Sequence, residues 1–203
     1  VEKVVLNAED LEYTFKTGNK GVRSVNISEQ IGTMVGIMGG SGSGKSTMLN
    51  VLNGNLIPSN GKVTINGFDV HHQKDEIEGV IGYVSQDDLL IDELTVFQNL
   101  FYNSKLCFAQ LSDEEIKEKV HDLLSTLGLS EASHLRVGSP LDKIISGGQR
   151  KRLNIALELI RKPKVLFLDE PTTGLHQHDI KKLLEILQTS RAHVLYLKLL
   201  LLL

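Results

Sequence analysis

The sequence predicts an α/β fold, and three features of the chain support this prediction. A glycine-rich loop at residues 39–46 follows a short apolar run of strand length and precedes a helical pattern. The four apolar residues Val165–Leu168 have the composition of a central parallel strand that is covered on both faces. Between these two places, residues 88–155 follow a mainly helical pattern. We therefore expect strands and helices to alternate around a glycine-rich loop.

The composition limits the classes of protein to consider. A length of 203 residues fits one domain, with room for an added lobe. The net charge of -3 argues against nucleic-acid binding through bulk charge, although it leaves a local basic patch open. The single cysteine, Cys107, excludes a disulfide scaffold and a cysteine-rich zinc site. The apolar run at 199–203 is shorter than a membrane span, which needs about 20 residues, so we expect no membrane segment.

The N-terminal elements are predicted as short extended segments followed by a strand–loop–helix unit. A turn around Gly18 separates the extended segments, and Gly54 ends the helical pattern that begins after Ser46. The run at 33–38 is predicted to be a buried strand. The remaining predicted strands of this half are 4–6, 11–15, 22–27 and 61–67.

The second half of the chain is predicted to contain several amphipathic helices. Ser112 and Glu115 form a capping box, and Gly128 ends the helix that it opens. Another helix is expected over 153–160 and one more over 180–187. The run at 194–197 is predicted to be a final strand.

The glycine-rich loop fits the pattern G-x-x-x-x-G-K-[ST], which binds phosphate chains. Glycines allow backbone amides to surround the phosphates, and the helix N-terminus adds positive potential. Lys45 is expected to reach the β and γ phosphates, and the Ser46 hydroxyl to bind Mg²⁺. A glycine-rich turn with a solvated lysine is the alternative, which the flanking strand and helix disfavour. The candidate phosphate-binding residues are Gly39, Gly40, Ser41, Gly42, Ser43, Gly44, Lys45, Ser46 and Thr47.

Two adjacent carboxylates, Asp169 and Glu170, follow the apolar run at 165–168. A carboxylate at the end of a buried strand can hold Mg²⁺ and its water, and the next one can orient or deprotonate the attacking water. The alternative is an acidic strand end without a catalytic role. Its pairing with the phosphate loop favours the functional interpretation.

Three further segments resemble motifs of the ABC ATPases, in the order that this family has them. Residues 145–149 (Ile-Ser-Gly-Gly-Gln) resemble the family signature LSGGQ, Gln86 resembles the Q-loop glutamine, and 169–175 resemble the acidic motif and the D-loop. Residues 85–89 and 146–153 are most similar to the G-type group of sterol and drug exporters. The resemblance covers nearly the whole chain.

The resemblance implies a P-loop NTPase fold with a RecA-like core, an antiparallel β lobe and an inserted α-helical lobe. It also implies one nucleotide-binding domain over 1–203, with the core and β lobe at 1–87 and 156–203 and the helical lobe at 88–155. Two such domains would pair head to tail around MgATP, as a homodimer or a heterodimer. A signature at a helix start agrees with this physically, because the amides and dipole there favour a γ phosphate. The implied signature contacts are Ser146, Gly147, Gly148 and Gln149.

The resemblance also assigns individual roles. Glu170, Lys45 and Gln86 would act in catalysis, and Ser46, Gln86 and Asp169 would hold Mg²⁺. An aromatic residue in the first strands would stack on adenine, and Phe15 matches this position better than Tyr13.

Two positions depart from the family pattern. His176 stands where the D-loop usually has Asp, and 176–179 (His-Gln-His-Asp) is more typical of a surface loop than of a metal site. The switch histidine is expected on a strand beyond Glu170, but the chain there ends in leucines and His193 comes too early. We therefore expect a truncated C-terminus, with turnover by this chain left open.

The leading functional hypothesis is the ATP-hydrolysing subunit or domain of a membrane transporter. It would lie in the cytoplasm, on the membrane surface, and would contact a transmembrane subunit or domain through residues 86–99. One alternative is a soluble ABC ATPase that acts on nucleic acid or ribosomes, which the charge and the single cassette disfavour; no nucleic-acid partner is expected. The other is a non-hydrolysing module that dimerises on ATP.

Overall fold

The computed structural model separates into two compact units. Among the described residues, the first unit contains eight strands and one α-helix, and the second contains three α-helices. In the described part of the chain, no helix is long and apolar enough to cross a membrane. The structure describes residues 4–30, 32–87, 89–139, 142, 144–169 and 195–200, with Val4 and 195–200 described through their backbone alone.

An antiparallel sheet with the strand order β2-β1-β4-β5 forms one layer of the first unit. The predicted segments 4–6 and 11–15 belong to a single strand, so the prediction of two strands was wrong. Asp10 (φ 45°) lies at a register shift in this strand, and its amide donates to the Asn26 side chain instead of to the ladder. The strands are β1 Val4–Thr14, β2 Lys20–Gln30, β4 Asn60–Ile65 and β5 Phe68–Asp69.

A parallel sheet with the order β3-β8-β7-β6 forms the other layer. Its strand β7 is buried along its whole length, as predicted, since it lies between two neighbours. The strand predicted at 33–38 is present as β3, but its predicted burial was wrong, because β3 lies at the edge of the described sheet and Met38 is 61% exposed. The strands are β3 Met34–Met38, β6 Ile81–Val84, β7 Val165–Leu168 and β8 Leu195–Leu200.

Helix α1 (Lys45–Leu52) directly follows the glycine-rich loop. Its apolar side chains Leu49, Val51 and Leu52 are fully buried in the core of this unit, and Gly54 takes a left-handed φ just after the helix end. Burying these side chains fixes the helix N-terminus, and therefore the loop, relative to the core.

The second unit packs α2 (Val96–Cys107), α3 (Asp113–Thr126) and α4 (Gly147–Leu159) around one hydrophobic core. Each helix begins with a capping box, of which only the Ser112–Glu115 pair was predicted. Ser146 caps α4, so the signature lies at a helix start as expected, and the helix begins earlier than the segment 153–160 that the apolar pattern predicts. The fully buried core residues include Val96, Leu100, Val120, Leu127, Leu129 and Leu153.

Candidate functional site

The glycine-rich loop holds its lysine in place through its own backbone. Lys45 is the first residue of α1 and is almost buried, and its Nζ donates to the carbonyl oxygen of Gly40 over 2.8 Å. Gly44 caps the helix with φ 89°, and a Cβ at Gly44 would overlap the carbonyl oxygen of Gly21. The loop is thus closed on the lysine and seated against β2.

A cavity of about 490 Å³ lies along this loop. Two cations, Lys20 and Lys45, line it together with the N-terminus of α1, so the cavity favours an anion. Phe15 also lines the cavity, whereas Tyr13 packs against the hydrophobic core and meets the Phe15 ring edge-on at 5.1 Å. Of the two predicted aromatics, Phe15 is therefore the one placed to meet a ligand.

Asp169 lies at the end of β7 and is 6% exposed. The Ser46 hydroxyl donates to its Oδ1 over 3.2 Å, and the Tyr83 hydroxyl donates to its Oδ2 over 3.4 Å. Its amide donates to the carbonyl oxygen of Val84 over 2.9 Å, which continues the pairing of β6 with β7. The carboxylate is therefore held at the start of α1, beside the phosphate loop.

Tyr83 is, with Lys20, a residue of this site that the sequence analysis missed. Burial, followed by the negative charge of Asp169, raises the pKa of Tyr83 to about 12, so its hydroxyl is a donor at neutral pH. The available signal was its place on a strand next to the one that ends in Asp169, but the pairing of these strands is a tertiary feature.

The donor set suits Mg²⁺. A hydroxyl oxygen and a carboxylate oxygen are hard ligands, and Mg²⁺ in nucleotide sites takes few protein ligands and completes its shell with phosphates and water. No cluster of three His, Cys, Asp or Glu that could form an all-protein metal cage occurs within the described ranges. The pair of Ser46 and Asp169 therefore fits a metal that arrives with a phosphate ligand.

In the second unit, the signature residues form the start of α4. Ser146 Oγ accepts from the Gln149 amide over 3.1 Å, and Gln149 Oε1 accepts from the Ser146 amide over 2.7 Å. The oxygen of Gln149 is thus engaged within its own helix. Gly147 and Gly148 occupy the first turn, where the amides have no partner inside the helix.

Arg150, in the same turn, binds the segment that precedes α2. Its Nη2 donates to Asp92 Oδ1 over 2.8 Å and its Nη1 donates to the carbonyl oxygen of Gly138. The amide of Gly138 in turn donates to the Asp92 carbonyl oxygen over 2.9 Å. The signature helix is therefore attached to two loops of its own unit.

The remaining predicted residues fall in the second unit or outside the described residues. Gln86 is exposed and belongs to the second unit. Glu170, the D-loop with His176, the helix at 180–187 and His193 lie outside the described residues.

The parallel sheet, the phosphate loop and the carboxylate at the strand end define an α/β nucleotide-binding domain of the P-loop class. The sequence profile described as "ABC transporter" matches residues 22–173. The chain belongs to the ABC transporter family.

Relatives in the family support the G-type resemblance. The chain is 40% identical over 159 residues to the ABC-type transporter claG of Penicillium crustosum, and the aligned segment covers 78% of this chain and 21% of that protein. It is 35% identical over 190 residues to ABC transporter G family member 5 of Arabidopsis thaliana, and the aligned segment covers 92% of this chain and 29% of that protein. The chain thus spans less than a third of the length of these relatives.

Two solved structures share the fold. One is cbiO1 from Clostridium perfringens, part of the ABC transporter complex cbiONQ, with a TM-score of 0.83 and 28% identity over 97% of this chain and 78% of that one. The other is the ADP conformation of MJ1267, an ATP-binding cassette of an ABC transporter, with a TM-score of 0.82 and 26% identity over 98% of this chain and 82% of that one.

Proposed function

We propose that this domain binds MgATP along the phosphate loop and hydrolyses it to drive transport through a membrane partner. The observation that carries the proposal is the convergence of Lys45, Ser46 and Asp169 beside a cation-lined cavity. Residues 39–47 would surround the phosphates, and Phe15 would stack on the base. Membership of the ABC transporter family and similarity to G family transporters argue against the two alternative functions, a nucleic-acid ATPase and a non-hydrolysing module.

Each step of the reaction then has a residue of this chain. Lys45 exchanges its bond to the Gly40 carbonyl oxygen for the β and γ phosphates, which stabilises the negative charge that develops there. Ser46 and Asp169 would hold Mg²⁺, which would neutralise phosphate charge when bound. The family resemblance supplies the remaining roles, in which Glu170 would accept a proton from the attacking water and Gln86 would help to hold that water and Mg²⁺.

The signature serves the nucleotide of a second domain. Ser146 caps the positive end of a helix of 13 residues, and the Gly147 and Gly148 amides have no partner inside that helix, which suits the γ phosphate of an ATP held by another copy or a homologous domain. Gln149 acts here through the capping box that fixes the Ser146 backbone. The product is a head-to-tail dimer that closes on ATP and opens after hydrolysis.

A stripe of exposed apolar side chains in the second unit supports contact with a membrane partner. Asn99 is buried and bonds both the amide and the carbonyl oxygen of Ile91, at 2.9 and 3.0 Å, which holds Ile91 beside α2. Tyr102 and Leu106 follow Asn99 on the same helix face, and Leu106 is 87% exposed. Through this stripe the domain would lie on the cytoplasmic face of the membrane, bound to its transmembrane subunit or domain.

Turnover and trapping of ATP test the proposal in the complete protein. The wild type should hydrolyse ATP only with Mg²⁺ present, and Glu170→Gln should keep MgATP binding while losing about 10²–10⁴-fold in rate. This variant should also accumulate an ATP-bound dimer in size-exclusion chromatography. Hydrolysis by Glu170→Gln at the wild-type rate would show that another group is the base.

A further inference from the structure

Gly21 on β2 belongs to none of the motifs above, yet two parts of the nucleotide cavity lie against it. A Cβ at Gly21 would stand 2.7 Å from Cε2 and 3.2 Å from Cζ of the Phe15 ring, and 3.0 Å from Cγ2 of Thr47. The shortest of these distances is closer than real Cβ atoms approach a neighbour. Any side chain at Gly21 must therefore displace a neighbour, and the Phe15 ring is the first in its way.

Backbone hydrogen bonds hold the main chain at Phe15, so we expect the side-chain ring to be the part that moves. The Phe15 amide donates to the Asn19 carbonyl oxygen over 2.9 Å, and the Gly18 amide donates to the Phe15 carbonyl oxygen over 2.8 Å. Tyr13, which packs against the core, meets the ring edge-on. Since the ring is partly exposed, a methyl group at Gly21 would turn it outward, toward solvent, at little cost to the fold.

The opposite side of Gly21 behaves differently. Its carbonyl oxygen is the atom that a Cβ at Gly44 would overlap, so the backbone of Gly21 supports the N-terminus of α1. A methyl group at Gly21 leaves this oxygen where it is. Gly21 therefore has two separable roles. Its carbonyl oxygen supports the phosphate loop, and the space left by its missing side chain accommodates the aromatic ring.

We propose that Gly21 is a positioning residue that sets the place of the base-stacking ring, Phe15, next to the phosphate loop. The proposal rests on the proposed nucleotide site. The ring would stack on the base, whichever base it is, and would not contact the phosphates. Gly21 therefore affects the affinity for the nucleoside part of the ligand and leaves the affinity for its triphosphate part unchanged. The absent side chain provides the space that the ring occupies.

Gly21→Ala, measured against two ligands, separates positioning from a general structural effect. Affinity for MgATP should fall about fivefold, the lower end of the loss expected for one base stack. Inorganic tripolyphosphate, which has no base, should compete with a fluorescent ATP analogue as well as it does in the wild type. An equal loss for both ligands would overturn the proposal, because it would place the effect in the phosphate loop. Unchanged ATP affinity would overturn it as well.

A double-mutant cycle supplies a second measurement that does not depend on tripolyphosphate. In a Phe15→Ala background, Gly21→Ala should cost no further ATP affinity, since no ring remains to be displaced. In a Thr47→Ser background, which removes the methyl group at 3.0 Å, the full loss should persist. Recovery with Thr47→Ser, or additive losses with Phe15→Ala, would refute the route through the ring. Absence of ATP binding in the wild type would instead refute the nucleotide site itself.

Discussion

The Ser46 hydroxyl and the Asp169 carboxylate meet at 3.2 Å although 123 residues separate them in the chain. The first turn of α1 carries one group and the end of β7 carries the other, so this contact joins a helix to a strand of the parallel sheet. Both groups are oxygen ligands at the edge of the phosphate loop. Because these two oxygens lie so close together, the fold alone brings two metal ligands to one place.

Removing either oxygen should weaken the contribution of the metal to ATP binding. Ser46→Ala and Asp169→Asn should each reduce the Mg²⁺-dependent gain in ATP affinity about tenfold or more, while metal-free affinity changes little. Titration of labelled ATP with and without Mg²⁺ measures both quantities. Ser28→Ala on β2 is a matched control that should behave as the wild type. An unchanged Mg²⁺ dependence in Asp169→Asn would remove Asp169 from the site.

The two lysines of the cavity should differ in importance. Lys45→Ala should lower turnover about 10²–10³-fold, since Lys45 is buried within the loop and lines the cavity proposed for the phosphates. Lys20→Ala should cost much less, because Lys20 is exposed and its charge is shared with Glu12 at 3.5 Å. Turnover rates of the two variants at saturating MgATP test this order. Similar losses for both lysines would contradict it.

The phosphate loop and the buried strand β7 could be predicted because local patterns determine them. The spacing of glycines with a lysine and the four apolar residues of β7 need no tertiary information. The bulge at Asp10 could not be predicted in this way, since it depends on the Asn26 side chain from the next strand. The role of Tyr83 likewise depends on the pairing of β6 with β7.

The ionised carboxylate of Asp69 on β5 should stabilise the fold at pH values above 3.8. Burial alone would raise the pKa of Asp69, but bonds from the His71 and His72 amides and from the His72 ring outweigh burial and lower this pKa. A folded pKa below the unfolded value of 3.8 means that the stabilisation is present above that pH and is lost as the pH falls further.

Asp69→Asn tests this pH dependence. The variant should be less stable than the wild type at neutral pH, and the difference should vanish as the pH falls below 3.8. Urea unfolding at a series of pH values measures it, with the exposed Asp75→Asn as the matched control. A difference that stays constant across the acid range would show that charge is not its origin.

Arg150 should stabilise the helical unit through geometry as well as through charge. Arg150→Ala should lower the free energy of unfolding by about 1–2 kcal/mol, because it removes charge-assisted bonds to Asp92 and to the Gly138 carbonyl oxygen. Arg150→Lys should recover little, since an ammonium group cannot reach both acceptors in the same way. Denaturant unfolding of the two variants tests this, and full recovery by lysine would leave charge as the only contribution.

The cap of α4 allows the dimer contact of the signature to be tested without destabilising the helix. Asp and Asn both cap helices as well as Ser does, so Ser146→Asp and Ser146→Asn should keep the stability of the domain within about 0.5 kcal/mol. A carboxylate at this position would repel the γ phosphate of the ATP bound by the other domain. Ser146→Asp should therefore bind ATP as a monomer and fail to dimerise, whereas Ser146→Asn should retain more of the dimer. Size-exclusion chromatography in MgATP, in a Glu170→Gln background that slows hydrolysis, measures both. If Ser146→Asp dimerises as fully as Ser146→Asn, the signature does not face a partner's nucleotide, and the head-to-tail arrangement is wrong for this protein.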